Sequence, residues 1–235
     1  MPHHVFERIA QSEVAQLKQG TPEWLESRKA YPVTGSVAAA ILGCDPYKTR
    51  RKAATDKAGH GVQGQTVSFN TAHGHAHEGE AVRRFIAATG QQVLHCGLVP
   101  HAALDFIAVS PDGITADGEL LEVKCPVSRR ITDAVPAHYM PQLQLSMETL
   151  DLEWANYVEY KPGNEFRDTE FQIIRVKRDR QWFAASLPSF ESFSKEVRAL
   201  QRLPPPPIMV PRKRRLTKTR LGSVSKIGYI LSTCK

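Results

Sequence analysis

Three residues in one short stretch could carry out phosphoryl chemistry. Asp112 sits in Ser110-Pro111-Asp112-Gly113-Ile114; Glu122 and Lys124 sit in Glu119-Leu120-Leu121-Glu122-Val123-Lys124-Cys125-Pro126. Asp112 ends an apolar run at a Pro/Gly turn, and the chain returns as a second extended run. Alternate residues of a strand point to the same face. Glu122 and Lys124 therefore project together, while Leu121, Val123 and Cys125 face the other way. A hairpin brings Asp112 beside them. Two carboxylates with an ammonium at their rim form the sparse hard-oxygen ligation that Mg²⁺ accepts, since that ion keeps several of its waters. Such an ion lowers the pKa of a bound water and polarises a phosphoryl oxygen. Lys124 could orient that water or offset developing charge. The plainer alternative is an aspartate at an ordinary turn and a solvated Glu-x-Lys strand face. The strongly apolar flanking strands favour a sheet edge or cleft.

Other elements must position these residues. Amphipathic helices are predicted over about 5–19 and 22–30, the second opened by Thr21-Pro22, a cap residue and then proline at the first helical position. A third is predicted from Ser36 to Leu42, ending at Gly43. Residues 56–72, with Gly59, Gly61, Gly64, Ser68 and Asn70, read as an irregular loop. A helix over about 75–89 stops at Gly90. Strand-like runs follow at Gln92–Val99, Leu104–Ser110 and Leu120–Lys124. A helix from Ala137 to Thr149 places Met140, Leu143, Met147 and Leu150 at core spacing. Glu153–Tyr160 and Glu170–Val176 read as paired strands around Pro162-Gly163-Asn164, and a last helix runs over 179–202. This order implies an α/β fold with a mixed central sheet flanked by helices.

Bulk properties exclude several classes. The 235 residues are 41% hydrophobic and 23% charged, an ordinary globular composition sized for one substantial domain. We expect a single domain over 1–203 and a proline-initiated, disordered basic tail over 204–235. No apolar run approaches the roughly 18 residues of a membrane span, and the start shows no secretory apolar core. Cys44, Cys96, Cys125 and Cys234 form no C-x-x-C pair, which fits free thiols in a reducing cytoplasm. The net charge is +7, but from Pro204 onward there are eight Lys or Arg and no acid. The preceding 203 residues carry a net −1, so bulk charge does not mark the body as a nucleic-acid binder.

Four ordered segments resemble the PD-(D/E)XK nucleases, within them the lambda exonuclease or YqaJ-type viral recombinase group. Asp112, Glu122 and Lys124 stand where that motif has its Asp, Glu and Lys. Glu23-Trp24-Leu25-Glu26-Ser27-Arg28 with Val33-Thr34-Gly35-Ser36 is similar to the group's Trp-x-x-x-Arg and Thr-(Ala/Gly)-Ser segment. Gly74-His75-Ala76-His77-Glu78 is similar to its Gly-x-x-x-Glu helix, and Tyr139-Met140-Pro141-Gln142-Leu143-Gln144 to its Tyr-x-x-Gln-x-Gln helix. The resemblance spans roughly residues 20–160 and implies a restriction-endonuclease-like core.

It also implies roles. Asp112, Glu122, Glu78 and the Val123 carbonyl would hold Mg²⁺, with Mn²⁺ able to substitute, and Lys124 with Gln142 would position water. Arg28, Ser36 and Ser110 match the group's pocket for a terminal 5′-phosphate, in keeping with the bidentate guanidinium fork. The implied activity is 5′→3′ digestion of one strand of linear duplex DNA to 5′-mononucleotides. A homotrimeric ring and a partner single-strand annealing protein are implied by the same analogy, as in phage recombination. An endonuclease or repair nuclease on the same core is the alternative, and a catalytically silent DNA-binding protein the reading from another class.

Residues read apart from the motif leave choices open. Glu78 shares a helix stripe with Ala81, Val82 and Phe85 and points to the core, where it needs a cation or donors; a salt bridge to Arg28 would also serve. His73 and His77, spaced i, i+4, could bind zinc, but no third ligand shares their pattern, and surface histidines are the competing reading. Arg129 and Arg130 after the Cys125-Pro126 turn could meet the DNA backbone, as could Arg50, Arg51 and Lys52 on an expected loop; either cluster could equally be solvated charge.

Overall fold

The computed structural model describes residues 4–61, 69–165 and 167–205. The expected basic tail from residue 206 onward, Cys234, and residues 62–68 of the expected glycine-rich loop lie outside the described residues. The chain opens with α1 (His4–Ala10), α2 (Glu13–Gln16) and α3 (Pro22–Lys29). The expected first helix is thus two short ones, broken near Ser12. Thr21 caps α3, its hydroxyl accepting from the Trp24 amide at 3.3 Å and satisfying an otherwise orphaned donor. A short strand β1 (Val33–Thr34) leads through a 3₁₀ turn (Gly35–Val37) into α4 (Ala38–Ile41).

Next comes α5 (Arg50–Lys57), where a loop was expected. The Thr49 hydroxyl caps it by accepting from the Lys52 amide at 3.3 Å, and Ala53 and Ala54 are fully buried beneath it. Packing of that alanine pair outweighs a charged sequence with little helical amphipathicity. A long helix, α6 (Phe69–Thr89), ends before Gly90, whose φ of +72° suits a left-handed helix terminus. It starts six residues earlier than the sequence predicts.

The strands divide into two sheets. β2 (Val93–Leu94), β3 (Val99–Pro100), β4 (Ile107–Val109), β5 (Gly113–Thr115) and β6 (Leu120–Lys124) precede the helix α7 (Met140–Leu150). β7 (Trp154–Lys161), β8 (Glu170–Lys177) and α8 (Arg180–Gln201) complete the chain. One sheet has the order β1-β4-β3 and the other β2-β5-β6-β7-β8. β6 runs parallel to β7, with Glu122 opposite Tyr157 and Lys124 opposite Glu159, and β7 forms an antiparallel hairpin with β8. The single run expected over 92–99 therefore splits, β2 and β3 serving different sheets.

The split has a cause at Gly97. Its amide donates to the Ala15 carbonyl at 2.7 Å and the Leu98 amide to the Val14 carbonyl at 3.1 Å. A Cβ on Gly97 would lie 2.2 Å from the Leu17 carbonyl oxygen, so only glycine lets the strand lean so closely on α2. The five-stranded sheet separates two apolar layers. Leu120, Ala155 and Tyr157 join the main core with Leu143, Leu145 and Met147 of α7, whereas Leu121, Val123 and Val158 pack under Ala81, Val82 and Phe85 of α6. Burying the Leu, Val, Met and Phe side chains among these contributes roughly 1.5–3 kcal/mol each before entropy is counted.

Candidate active site

The β6 alternation has the predicted sense. Leu121 and Val123 enter the layer under α6, and Glu122 and Lys124 project toward α7. The Lys124 ammonium pairs with Glu122 Oε1, and the Gln142 amide donates to the same oxygen at 2.5 Å. Asp112 closes the group from the preceding turn, its Oδ2 accepting from the Val123 amide at 2.7 Å. Val123 thus holds Asp112 in place through its N–H. The second oxygen of Glu122, Oε2, is buried with no hydrogen-bond partner.

Electrostatics reflect this crowding. Burial, and then the neighbouring Asp112, push the Glu78 carboxyl up to about 7. Glu122 is also pushed up to about 7, chiefly by burial, with Asp112 and Glu78 adding to the rise against the pull of Lys124. Burial likewise raises Asp112, opposed by Lys124 and the Val123 amide. For Lys124, burial works against the ammonium, but Glu122 and Asp112 outweigh it and hold its pKa above the usual value. These carboxylates perturb one another because they share a site with one nearby cation. Among the described residues no three His, Cys, Asp or Glu side chains close around one point; Glu122 is turned onto Lys124 and Gln142. The donor set nevertheless fits a hard divalent cation. Such an ion would offset the crowding of acids and engage the orphaned Glu122 oxygen.

The same cavity, about 170 Å³, is lined by Trp24, Arg28, Ser36, Ser110, Gln142 and Ser146 alongside Asp112, Glu122 and Lys124. Arg28 Nη2 donates to Ser36 Oγ at 2.5 Å and to Thr34 Oγ1 at 3.3 Å. Its guanidinium lies 4.9 Å from the Trp24 ring centroid, and Trp24 Nε1 donates to Ser110 Oγ at 3.2 Å. Arg28 Nε is buried without a partner, and burial lowers the Arg28 pKa. No described carboxylate pairs with this guanidinium, so the alternative of a Glu78–Arg28 salt bridge is not what forms. A half-buried guanidinium with an unpartnered Nε, ringed by hydroxyls, has the chemistry to receive an anion.

Arg130 lies apart, exposed and outside the residues lining this cavity. Arg129 is committed elsewhere, to an ion pair with the fully buried Glu159, whose Oε1 also accepts from the Tyr157 hydroxyl at 2.5 Å. Arg50, on α5 rather than a loop, binds Glu196 Oε2 at 3.1 Å and braces α8. The His73 and His77 rings lie 4.4 Å apart, tilted by 57°, and no third zinc ligand joins them among the described residues. Cys44, Cys96 and Cys125 are free thiols.

Sequence reading misses Gln19. Its amide donates to the Pro111 carbonyl at 2.8 Å and the Cys96 carbonyl at 3.1 Å, tying the N-terminal segment to the backbone just before Asp112. A second cavity, about 680 Å³, opens on that side, with Gln19, Glu78 and Asp112 in its wall. No local pattern marks such a residue, because both partners lie far away in sequence.

The model of the YqaJ-like viral recombinase domain matches residues 23–153, more than half of the chain, a range that includes Arg28, Ser36, Glu78, Ser110, Asp112, Glu122, Lys124 and Gln142. The chain belongs to this family. Among solved structures, the fold of this family member is similar to the alkaline exonuclease LHK-Exo from Laribacter hongkongensis, with a TM-score of 0.64 and 24% identity over 77% of this chain and 95% of that one. The same exonuclease in complex with dAMP gives a TM-score of 0.63 at 23% identity, again over 77% and 95% of the chains. A phage related exonuclease from Haemophilus somnus 129PT gives 0.51 at 13% identity, over 72% and 92%. These likenesses show the fold, a mixed α/β nuclease fold with sheets flanked by helices. Protein R354 of Acanthamoeba polyphaga mimivirus is 28% identical over 166 residues, 63% of this chain and 30% of that protein. The chain therefore spans about a third of that relative's length. No helix among the described residues is long and apolar enough to cross a membrane.

Proposed function

We propose that this family member is a Mg²⁺-dependent exonuclease that digests one strand of linear duplex DNA from its 5′ end, releasing 5′-mononucleotides, with Mn²⁺ able to substitute. The observation that supports it most is the single cavity holding Arg28, Ser36 and Ser110 beside Asp112, Glu122, Lys124 and Gln142. At about 170 Å³, it is smaller than the roughly 300–1,000 Å³ pockets that take whole small molecules. It suits a phosphate group better than a nucleotide. A terminal phosphate held there would leave the next phosphodiester facing the acids.

Asp112, Glu122 and Glu78, with the Val123 carbonyl, would hold the ion. When bound, it supplies charge neutralisation at the phosphoryl oxygens and acidifies water. The chain's own groups do the rest. Arg28, Ser36 and Ser110 fix the strand end, Lys124 and Gln142 orient the attacking water, and Lys124 offsets charge gathering on the phosphoryl group. Water adds its oxygen to phosphorus as the P–O3′ bond breaks; the 3′ oxygen leaves on the released mononucleotide and takes up a proton, and the phosphate stays as the new 5′ end of the shortened strand.

The deciding assay uses end-labelled linear duplex with and without a 5′-phosphate, together with closed circles, in Mg²⁺. Loss of the 5′-ended label with circles spared is expected; equal nicking of circles would point to an endonuclease instead. Lys124→Ala should lower cleavage by at least about 100-fold, the scale of a positioned acid–base or electrostatic group, with duplex binding retained. Arg28→Ala should erode the preference for phosphorylated ends, and an unchanged preference would exclude the phosphate pocket. Assembly into a homotrimeric ring and pairing with a single-strand annealing protein belong to the same proposal; sedimentation of the full chain tests the first.

A further inference from the structure

The loop between α4 and α5 presents Tyr47 with 83% of its surface exposed. The loop is nonetheless anchored: Asp45 Oδ1 accepts from the Tyr47 amide at 2.7 Å and the Lys48 amide at 3.1 Å, an Asx-type turn. The Tyr47 ring stands edge-on to His138, centroids 5.8 Å apart at 85°. His138 lies 4.1 Å from Tyr139, and Tyr139 lies 5.8 Å from Tyr157. Lys124 Nζ is 5.3 Å from the Tyr139 centroid and the Arg129 guanidinium 5.8 Å from it. An aromatic strip thus runs from the catalytic ammonium to solvent.

Its direction follows from α7 and the turn that precedes it. Tyr139, Gln142 and Ser146, spaced i, i+3 and i+7, share one helical face. Ser146 and Gln142 meet Gly35, where a Cβ would lie 3.4 Å from Ser146 Oγ and 3.3 Å from Gln142 Cγ. Ser146 also lines the Arg28 cavity. The phosphate pocket therefore sits toward Ser146, the catalytic groups at Gln142, and the aromatic strip at the opposite end. We infer that the exposed Tyr47 ring, braced edge-on by His138, is a stacking platform for a nucleobase on the 3′ side of the scissile phosphate. The inference rests on the exonuclease reading above, which puts the strand's terminal phosphate at the Arg28 end.

The chemistry suits a base. Every base offers a π face, so aromatic stacking holds a single strand without regard to sequence, as processive digestion requires. Lys124 and Arg129 flank the inner end of the strip, at Tyr139. An anchored ring loses little freedom on binding, which favours affinity.

The test uses the full chain in EDTA, so that binding is read without cleavage. A short 5′-phosphorylated single strand carrying 2-aminopurine at its second nucleotide is titrated and its fluorescence followed. Quenching by the native protein is expected. Tyr47→Ala should remove most of the quenching and weaken binding about tenfold, while Tyr47→Trp retains both. Thermal unfolding should be unchanged, since the side chain is exposed. Equal quenching in Tyr47→Ala, or none in the native protein, overturns the platform. So does a shift of Tyr47→Ala to a smaller assembly on size exclusion with quenching intact, which would make Tyr47 a contact between copies. Mg²⁺ added to the native protein tests cleavage separately: stacking without digestion would keep the platform and reject the nuclease.

Discussion

Lys57 shows how far a single side chain departs from what its neighbours in sequence suggest. It closes α5, donates to the Tyr31 carbonyl at 2.9 Å, and is pushed down to about 7 by burial, then by Arg28 and Lys48. The unfolded lysine titrates near 10.4. Below about pH 7 both states are protonated and the folded chain bears the full cost. Between about 7 and 10.4 the unfolded state binds more protons, so folding gains stability as pH rises. Against Lys57→Met, urea unfolding of the native chain should therefore improve from pH 7 to 9, by up to about 1.4 kcal/mol per unit. An identical difference at both values would place Lys57 in ordinary solvent. Its charged, glycine-flanked segment gives no sign of that burial. Asp112, Glu122 and Lys124 were legible because a strand's two-residue period and one turn suffice to bring them together. Gln19 was not, because its partners are carbonyls 77 and 92 positions away.

Among elements, helices and long strands carried their own signatures, and short pieces did not. α7 and the β7–β8 hairpin follow directly from apolar spacing and the Pro162-Gly163 turn. α5 was missed because its helical state depends on Ala53 and Ala54 packing under it, a tertiary effect. The division of 92–99 into β2 and β3 depends on contact with α2, which periodicity along one segment cannot register. That contact yields a prediction. A Cβ at Gly97 would meet backbone oxygens of Leu17 at 2.2 Å and Val14 at 2.9 Å, neither of which can rotate away. Gly97→Ala should destabilise the chain by about 1–3 kcal/mol, the usual cost of overpacking. Because Gln19 rides on the same segment, cleavage should fall further than the lost folded fraction explains. Denaturant unfolding and specific activity on the same sample separate the two, and activity that merely tracks the folded fraction would uncouple α2 from Asp112.

At the scale of the whole molecule, charge is distributed unevenly along the sequence. Residues 1–203 carry a net −1 while the remainder holds eight cations and no acid. The cations found near the cavity are largely spoken for, Lys124 by Glu122 and Arg129 by Glu159. On the proposed nuclease reading, long-range attraction for a duplex would come mostly from residues 204–235, with the acids and Arg28 acting at short range. Contacts to phosphate release counterions, and each one neutralised steepens the fall of log K against log salt by about 0.9. Deleting residues 204–235 should therefore flatten that slope by several units and weaken duplex binding most at low salt. Turnover at saturating DNA should stay near that of the full chain, because the proposed catalytic groups are untouched. A slope unchanged by the deletion would mean that the body itself gathers phosphate contacts, through a surface formed only when copies assemble.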